Sequence, residues 1–174
     1  MPIFRTFTLT LCALALAACA AFTSPADDPE NWPAERFYKE GKRALDIGDY
    51  QLAVEHFEDL IARFPFGAYA QQAQLNIAYA YYKFDEPESS VAAADQFIKL
   101  YPRHPRVDYA YYIKGLARVP NVGPLEKWFE TDPGQRDPRP AQEAYRHFSE
   151  LIKKFPDSPY VADAAQRMIY LREV

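Results

Sequence analysis

The sequence is short of the side chains on which most enzyme and metal chemistry rests. Its 174 residues include two cysteines, three histidines, two methionines and six glycines. Both cysteines, Cys12 and Cys19, fall among the first twenty positions, so the long remainder has no disulfide and no thiolate metal site. His56, His104 and His147 are scattered, and structural or solvated roles are expected for each rather than a ligand set. No glycine-rich phosphate loop, HExxH, CxxC or serine-nucleophile signature occurs. The 24 acidic residues exceed the 20 basic ones and give a net charge of −4, which offers no footing for nucleic acid. Catalysis is therefore not expected, nor a metal.

The longest apolar run, Phe7 to Ala18, is about a dozen residues, whereas a membrane-spanning helix needs roughly 20. It suits the apolar region of a secretory signal, with Arg5 as its positive start. Leu16-Ala17-Ala18-Cys19 resembles the bacterial lipobox, in which the cysteine thiol is diacylated and the chain is cut just before it. The expectation is a signal peptide over 1–18 and a diacylglycerol with an N-acyl chain on Cys19, without any other cofactor. Two or more acyl chains exceed the marginal, reversible binding of one. Ala20, rather than Asp, follows the cysteine. By resemblance to bacterial lipoproteins, that favours the inner leaflet of an outer membrane, facing the periplasm. Without residues 1–18, 156 of the 174 remain, and loss of Arg5 takes the charge from −4 to −5. Residues 19–33, rich in Ala, Pro and Asp without periodicity, read as a lipidated tether.

What the chain has in quantity is aromatics and proline: 13 Tyr, 12 Phe and 15 Pro. The prolines expose a repeat. HFEDLIARFP (56–65), ADQFIKLYP (94–102) and RHFSELIKKFP (146–156) align on Pro65, Pro102 and Pro156. Leu60, Phe97 and Leu151 share one column and Phe64, Tyr101 and Phe155 another, with the spacing of one helix face. Each aromatic-Pro pair stops its helix, because proline cannot continue the ladder. Farther back, small residues recur at Gly41, Ala78 and Gly115, where two antiparallel helices would cross closely. This pattern resembles the tetratricopeptide repeat.

The fold expected is all-α, a right-handed solenoid of tetratricopeptide-like helical hairpins over 34–174. Its units are 34–67, 68–104, 105–157 with an insertion at 120–140, and a partial fourth at 158–174. The helices predicted are 34–47, 50–64, 68–84, 88–101, 106–118, 139–155 and 159–172, the last capped by Ser158 with Pro159 at its first position. LEKWF (125–129) suggests a short helix within the insertion, either packed on the array or forming a lid over a partner. The array stops at Val174 without a polar capping helix, so either another subunit covers that end or the chain is truncated.

Such repeats offer a groove lined by the first helix of each unit. Carrying the groove positions over residue by residue selects Tyr38 and Lys42 in unit one. It selects Gln72, Asn76, Tyr79, Tyr82 and Lys83 in unit two, and Tyr109 and Tyr112 in unit three. The same rule also touches Leu45, Leu75 and Ile113. Tyrosine, an apolar body with a polar tip, suits an extended peptide. Asn76 suits a peptide main chain, and Lys42 or Lys83 a terminal carboxylate. For each tyrosine the alternative is packing between helices.

Three stretches go beyond a generic repeat: RFPFGAYAQQAQLNIAYAYYK (63–83), FIKLYPRHPRVDYAYYIKGL (97–116) and RDPRPAQEAYRHFSELIKKFPDSPYVADA (136–164). With the lipobox they closely resemble the BamD (ComL-type) lipoproteins of the outer-membrane β-barrel assembly machinery, from about Trp32 to Val174. The resemblance implies a lipid-anchored periplasmic scaffold. Its N-terminal repeats would receive C-terminal targeting segments of unfolded barrel proteins. Its C-terminal repeats would hold the central barrel subunit and other lipoproteins of the complex. That family has five repeats; this sequence holds three and a half, so docking to the central subunit is implied only for a longer chain. The alternative is another periplasmic repeat lipoprotein, a scaffold in envelope or cell-wall assembly.

Overall fold

The computed structural model describes residues 28–120 and 137–172. The signal peptide, Cys19, the first part of the tether and the LEKWF segment lie outside the described residues. Seven α-helices follow a short 3-10 turn at Pro29–Asn31, and no strand occurs among the described residues. They are α1 (Ala34–Ile47), α2 (Tyr50–Arg63), α3 (Ala68–Lys83), α4 (Pro87–Leu100), α5 (Val107–Arg118), α6 (Arg139–Lys154) and α7 (Val161–Tyr170). Each helix packs on the next in sequence, and α1 with α3 and α3 with α5 also touch. The result is a helical solenoid of the tetratricopeptide type, with first helices α1, α3 and α5 side by side.

Three helix ends share one geometry. Phe64, Tyr101 and Phe155 have φ/ψ of −129/63°, −131/57° and −133/65°, and each donates its N–H to the carbonyl four residues back. The following proline disfavours helical dihedrals in the residue before it, so each aromatic leaves the helix one residue sooner than predicted. The last helix differs more. It begins at Val161, not Pro159, and ends at Tyr170. Ser158 Oγ accepts the Tyr160 N–H at 3.3 Å and also donates to Asp108 Oδ2 at 2.7 Å, tying the α6–α7 turn to the start of α5.

The expected close crossings are present, and each is matched by its partner. A Cβ on Gly41 would meet Phe57 Cε1 at 2.6 Å, and one on Gly115 would meet Phe148 Cε1 at 2.3 Å. In the middle unit the same two columns hold Ala78 and Ala94, both fully buried. Glycine faces phenylalanine twice, and the unit between them has alanine in both columns.

Part of the stretch read as tether is docked. Trp32 packs on Phe37 and His56 at centroid distances of 5.2 and 5.7 Å. Arg63 Nη1 donates to the carbonyls of Pro29 and Glu30, and its guanidinium lies 5.3 Å over the Phe37 ring. Residues 29–32 therefore close the open end of the first hairpin.

Candidate functional site

The first-helix face carries the selected residues in a row. From α1, Tyr38 receives a hydrogen bond at its hydroxyl from Asn76 Nδ2 of α3 at 3.4 Å. Its ring lies 5.3 Å from Tyr69, which sits at the start of α3. Tyr79 and Tyr82 follow one turn apart on α3, 6.3 Å between centroids, and both are half-buried. On α5, Tyr109 and Tyr112 are 6.4 Å apart. Gln72 and Lys83 are exposed and Lys42 is half-buried. Neither lysine makes an ion pair among the described residues. Leu45, Leu75 and Ile113 are buried in the core and give the face no surface.

The tyrosines do not share one environment. Tyr109 and Tyr112 are clasped from the far side by Tyr160, which stacks on Tyr112 at 4.8 Å and 16° and tilts on Tyr109 at 5.2 Å. Burial pushes the Tyr109 hydroxyl up to about 12, and neighbouring Tyr79 and Tyr160 push the same way. Tyr112 is also pushed up to about 12, first by burial and then by donating to Asp163 Oδ2 at 2.5 Å. Both are neutral donors throughout the physiological range. The Asp163 carboxylate is held below its usual value: burial opposes this, but hydrogen bonds from Arg167 and Tyr112 prevail.

Sequence reasoning missed Tyr160, Asp163 and Arg167. Asp163 and Arg167 stand seven and eleven residues after Pro156, as Gln72 and Asn76 do after Pro65, so the groove rule carried into the partial fourth unit finds them. Tyr160 and Tyr69 likewise each stand four residues after a repeat proline. Each covers a groove tyrosine of the preceding unit, Tyr112 and Tyr38 respectively. The junction between units three and four thus repeats the junction between units one and two.

At the C-terminal ends of α3 and α5 the row opens into a cavity of about 310 Å³, lined by Tyr82, Lys83, Leu116, Val119, Pro120 and Arg167 among others. Arg167 is already paired with Asp163 and Asp85 shares the lining, so Lys83, without an ion pair among the described residues, is the cation that can receive a carboxylate there. Among the described residues no group of His, Cys, Asp and Glu is placed to hold a metal ion. No helix there is long and apolar enough to cross a membrane. His56 packs against Trp32, and His104 lies in the α4–α5 turn with Nδ1 accepting from the Arg106 N–H at 3.1 Å.

Residues 30–174 match the YfiO family, described as outer membrane lipoprotein. Among curated proteins, the chain is 43% identical over 162 residues to the outer membrane protein assembly factor BamD of Neisseria meningitidis serogroup B, covering 91% of this chain and 61% of that protein. It is 36% identical over 160 residues to the BamD of Vibrio cholerae, covering 91% and 66%. With the BamD of Pasteurella multocida it shares 32% identity over 170 residues, covering 97% and 64%. The chain thus spans about three-fifths to two-thirds of the length of these relatives.

Proposed function

Because the chain belongs to the YfiO family of outer membrane lipoproteins, whose relatives are named BamD assembly factors, we propose that it serves β-barrel protein assembly at the outer membrane. It acts by recognition, not catalysis: the first-helix face is a groove for the C-terminal segment of an unfolded barrel protein. The observation that carries this reading is the aromatic row Tyr38, Tyr79, Tyr82, Tyr109 and Tyr112, which ends at Lys83 and Arg167. An extended segment with alternating aromatics lays its apolar side chains on the half-buried tyrosine faces. Asn76 turns from the Tyr38 hydroxyl, a long 3.4 Å bond, to the peptide main chain. Lys83 meets the terminal carboxylate. Ordering a disordered client costs a few kcal/mol of the contact energy, so binding is weak and release easy.

In this reading Cys19 carries the lipid that holds the array on the periplasmic side of the outer membrane. The central barrel subunit and the other lipoproteins of the assembly complex are its partners, chiefly in the longer chain of the relatives. Replacing Cys19 by Ala removes acyl labelling and releases the protein from the membrane fraction. A Cys19→Ala protein that stays membrane-bound and labelled refutes the anchor.

The groove is tested by photo-crosslinking from Tyr79, with exposed Glu55 on α2 as control, to a peptide copying a barrel protein's C-terminus. The expected result is crosslinks at Tyr79 alone, lost when the terminal aromatic is removed. Equal labelling at both positions, or none, places recognition elsewhere.

A further inference from the structure

The opposite side of the array carries a second groove, between second helices α2 and α4 and floored by α3. It encloses about 440 Å³. Its walls are small and apolar where they come from Ala62, Ala92 and Ala93, and Ile61 and Ile77 continue them. At the floor lies Gln74, only 5% exposed, whose side-chain amide has no hydrogen-bond partner among the described residues. Glu58 stands at the rim without an ion pair among the described residues, and no lysine or arginine lines the groove. The amide reaches the open groove rather than lying sealed in the core, so an incoming chain can pair with it.

The next groove along, between α4 and α6 over α5, shows what completes such a site. There the columns of Gln74, Ile77 and Tyr81 hold Tyr111, Lys114 and Arg118. Asp95 stands in the column of Glu58, and Lys114 meets it at 2.7 Å. Arg118 lines the same groove, 2.9 Å from Glu143 and 2.7 Å from Glu88. The chain answers the acids of its second groove with its own cations, although about 400 Å³ of that groove stays open. In the first, isoleucine replaces the lysine and leaves the carboxylate unanswered. Burial, then Glu58 and Glu86, push the Tyr81 hydroxyl upward, so the field at this end of the groove is negative.

We propose that the α2–α4 groove docks an extended, lysine- or arginine-bearing segment of another protein chain. The cation takes, beside Glu58, the place Lys114 takes beside Asp95. An amide presents a donor and an acceptor together, which pair with main-chain N–H and C=O groups. A helix has those groups already satisfied internally, whereas an extended segment offers them. Alanine walls let the incoming backbone approach closely. This surface is separate from the tyrosine row, and its occupant does not depend on the client of that row.

The test uses fluorescence anisotropy on the full chain with a labelled nonapeptide of alternating valine and threonine carrying one terminal lysine. Its counterparts carry glutamate instead, or form an alanine-rich helix of equal charge. The lysine peptide is expected to saturate the protein, and the other two to bind at least about tenfold more weakly, the scale of one charge-assisted hydrogen bond. Gln74→Leu should weaken binding severalfold. Ala92→Trp, at an exposed wall position, should abolish it while leaving the circular dichroism melt unchanged. Tyr79→Ala, on the other face, should bind as the native protein does. Absent saturation, equal affinity for lysine and glutamate peptides, or binding that survives Ala92→Trp each overturns the proposal.

Discussion

Adding one methyl group at Gly115 should unlock the third hairpin. A Cβ there would lie 2.3, 2.4 and 2.8 Å from three ring atoms of Phe148, where ordinary contact begins at 3.4 Å. The ring would have to move by roughly an ångström, and Phe148 is fully buried, so nothing around it yields without strain. Overpacking of this kind costs about 1–3 kcal/mol, and three simultaneous close contacts argue for the upper end. Alanine in place of glycine inside a helix returns about 1 kcal/mol. The net expected for Gly115→Ala is a loss of about 2 kcal/mol, a drop in Tm of about 4–8 °C for a chain of this size. Urea melts followed by far-UV circular dichroism read it directly. Gly41→Ala, whose nearest approach is 2.6 Å, should lose less. Phe148→Leu combined with Gly115→Ala should be more stable than the sum of the single losses, because the smaller side chain makes room for the methyl. If Gly115→Ala instead gains stability and combines additively with Phe148→Leu, the two residues do not set the crossing and the volume argument fails.

The buried His147 makes stability depend on pH. Burial, then the charges of Lys114 and Arg146, push its imidazole down to about 4, while the unfolded chain titrates near ~6.5. As pH falls through ~6.5 the unfolded state takes up the proton first, so stability drops as the pH approaches 4. The urea midpoint should fall between about pH 6.5 and 5, and His147→Asn should remove most of that slope. Tyr112→Phe deletes the hydroxyl bonded to Asp163 but keeps the ring stack on Tyr160. It should cost about 1 kcal/mol and speed amide exchange in α7 more than in α1. Asp95→Ala strands Lys114, whose side chain is 9% exposed, and should lower the midpoint; Lys114→Met in the same chain should restore much of it.

The secondary structure was legible because its causes are local. Proline after an aromatic ends three helices, and the sequence places those ends within one residue of where they fall. A glycine or alanine column shows where helices cross. The bond from Ser158 to Asp108 was not legible, because Asp108 lies fifty residues away and no local pattern records it.

The tyrosine row was legible only as a set of positions. Repeat numbering put Tyr38, Tyr79, Tyr82, Tyr109 and Tyr112 on one face, but not their different surroundings. The Tyr160 stack that buries one end comes from a unit to which the numbering had not been carried. Periodicity and proline by themselves determined that this chain is a row of helical hairpins, since helix start, stop and apolar face follow from short-range hydrogen bonding and side-chain spacing. The tertiary structure decided that glycine answers phenylalanine, Gly41 against Phe57 and Gly115 against Phe148. It decided as well that Lys114 meets Asp95 in one outer groove, while Glu58 in its neighbour has no ion pair among the described residues. Those outcomes rest on shape and charge matched between residues sixteen to thirty-three positions apart, and only packing brings them within reach.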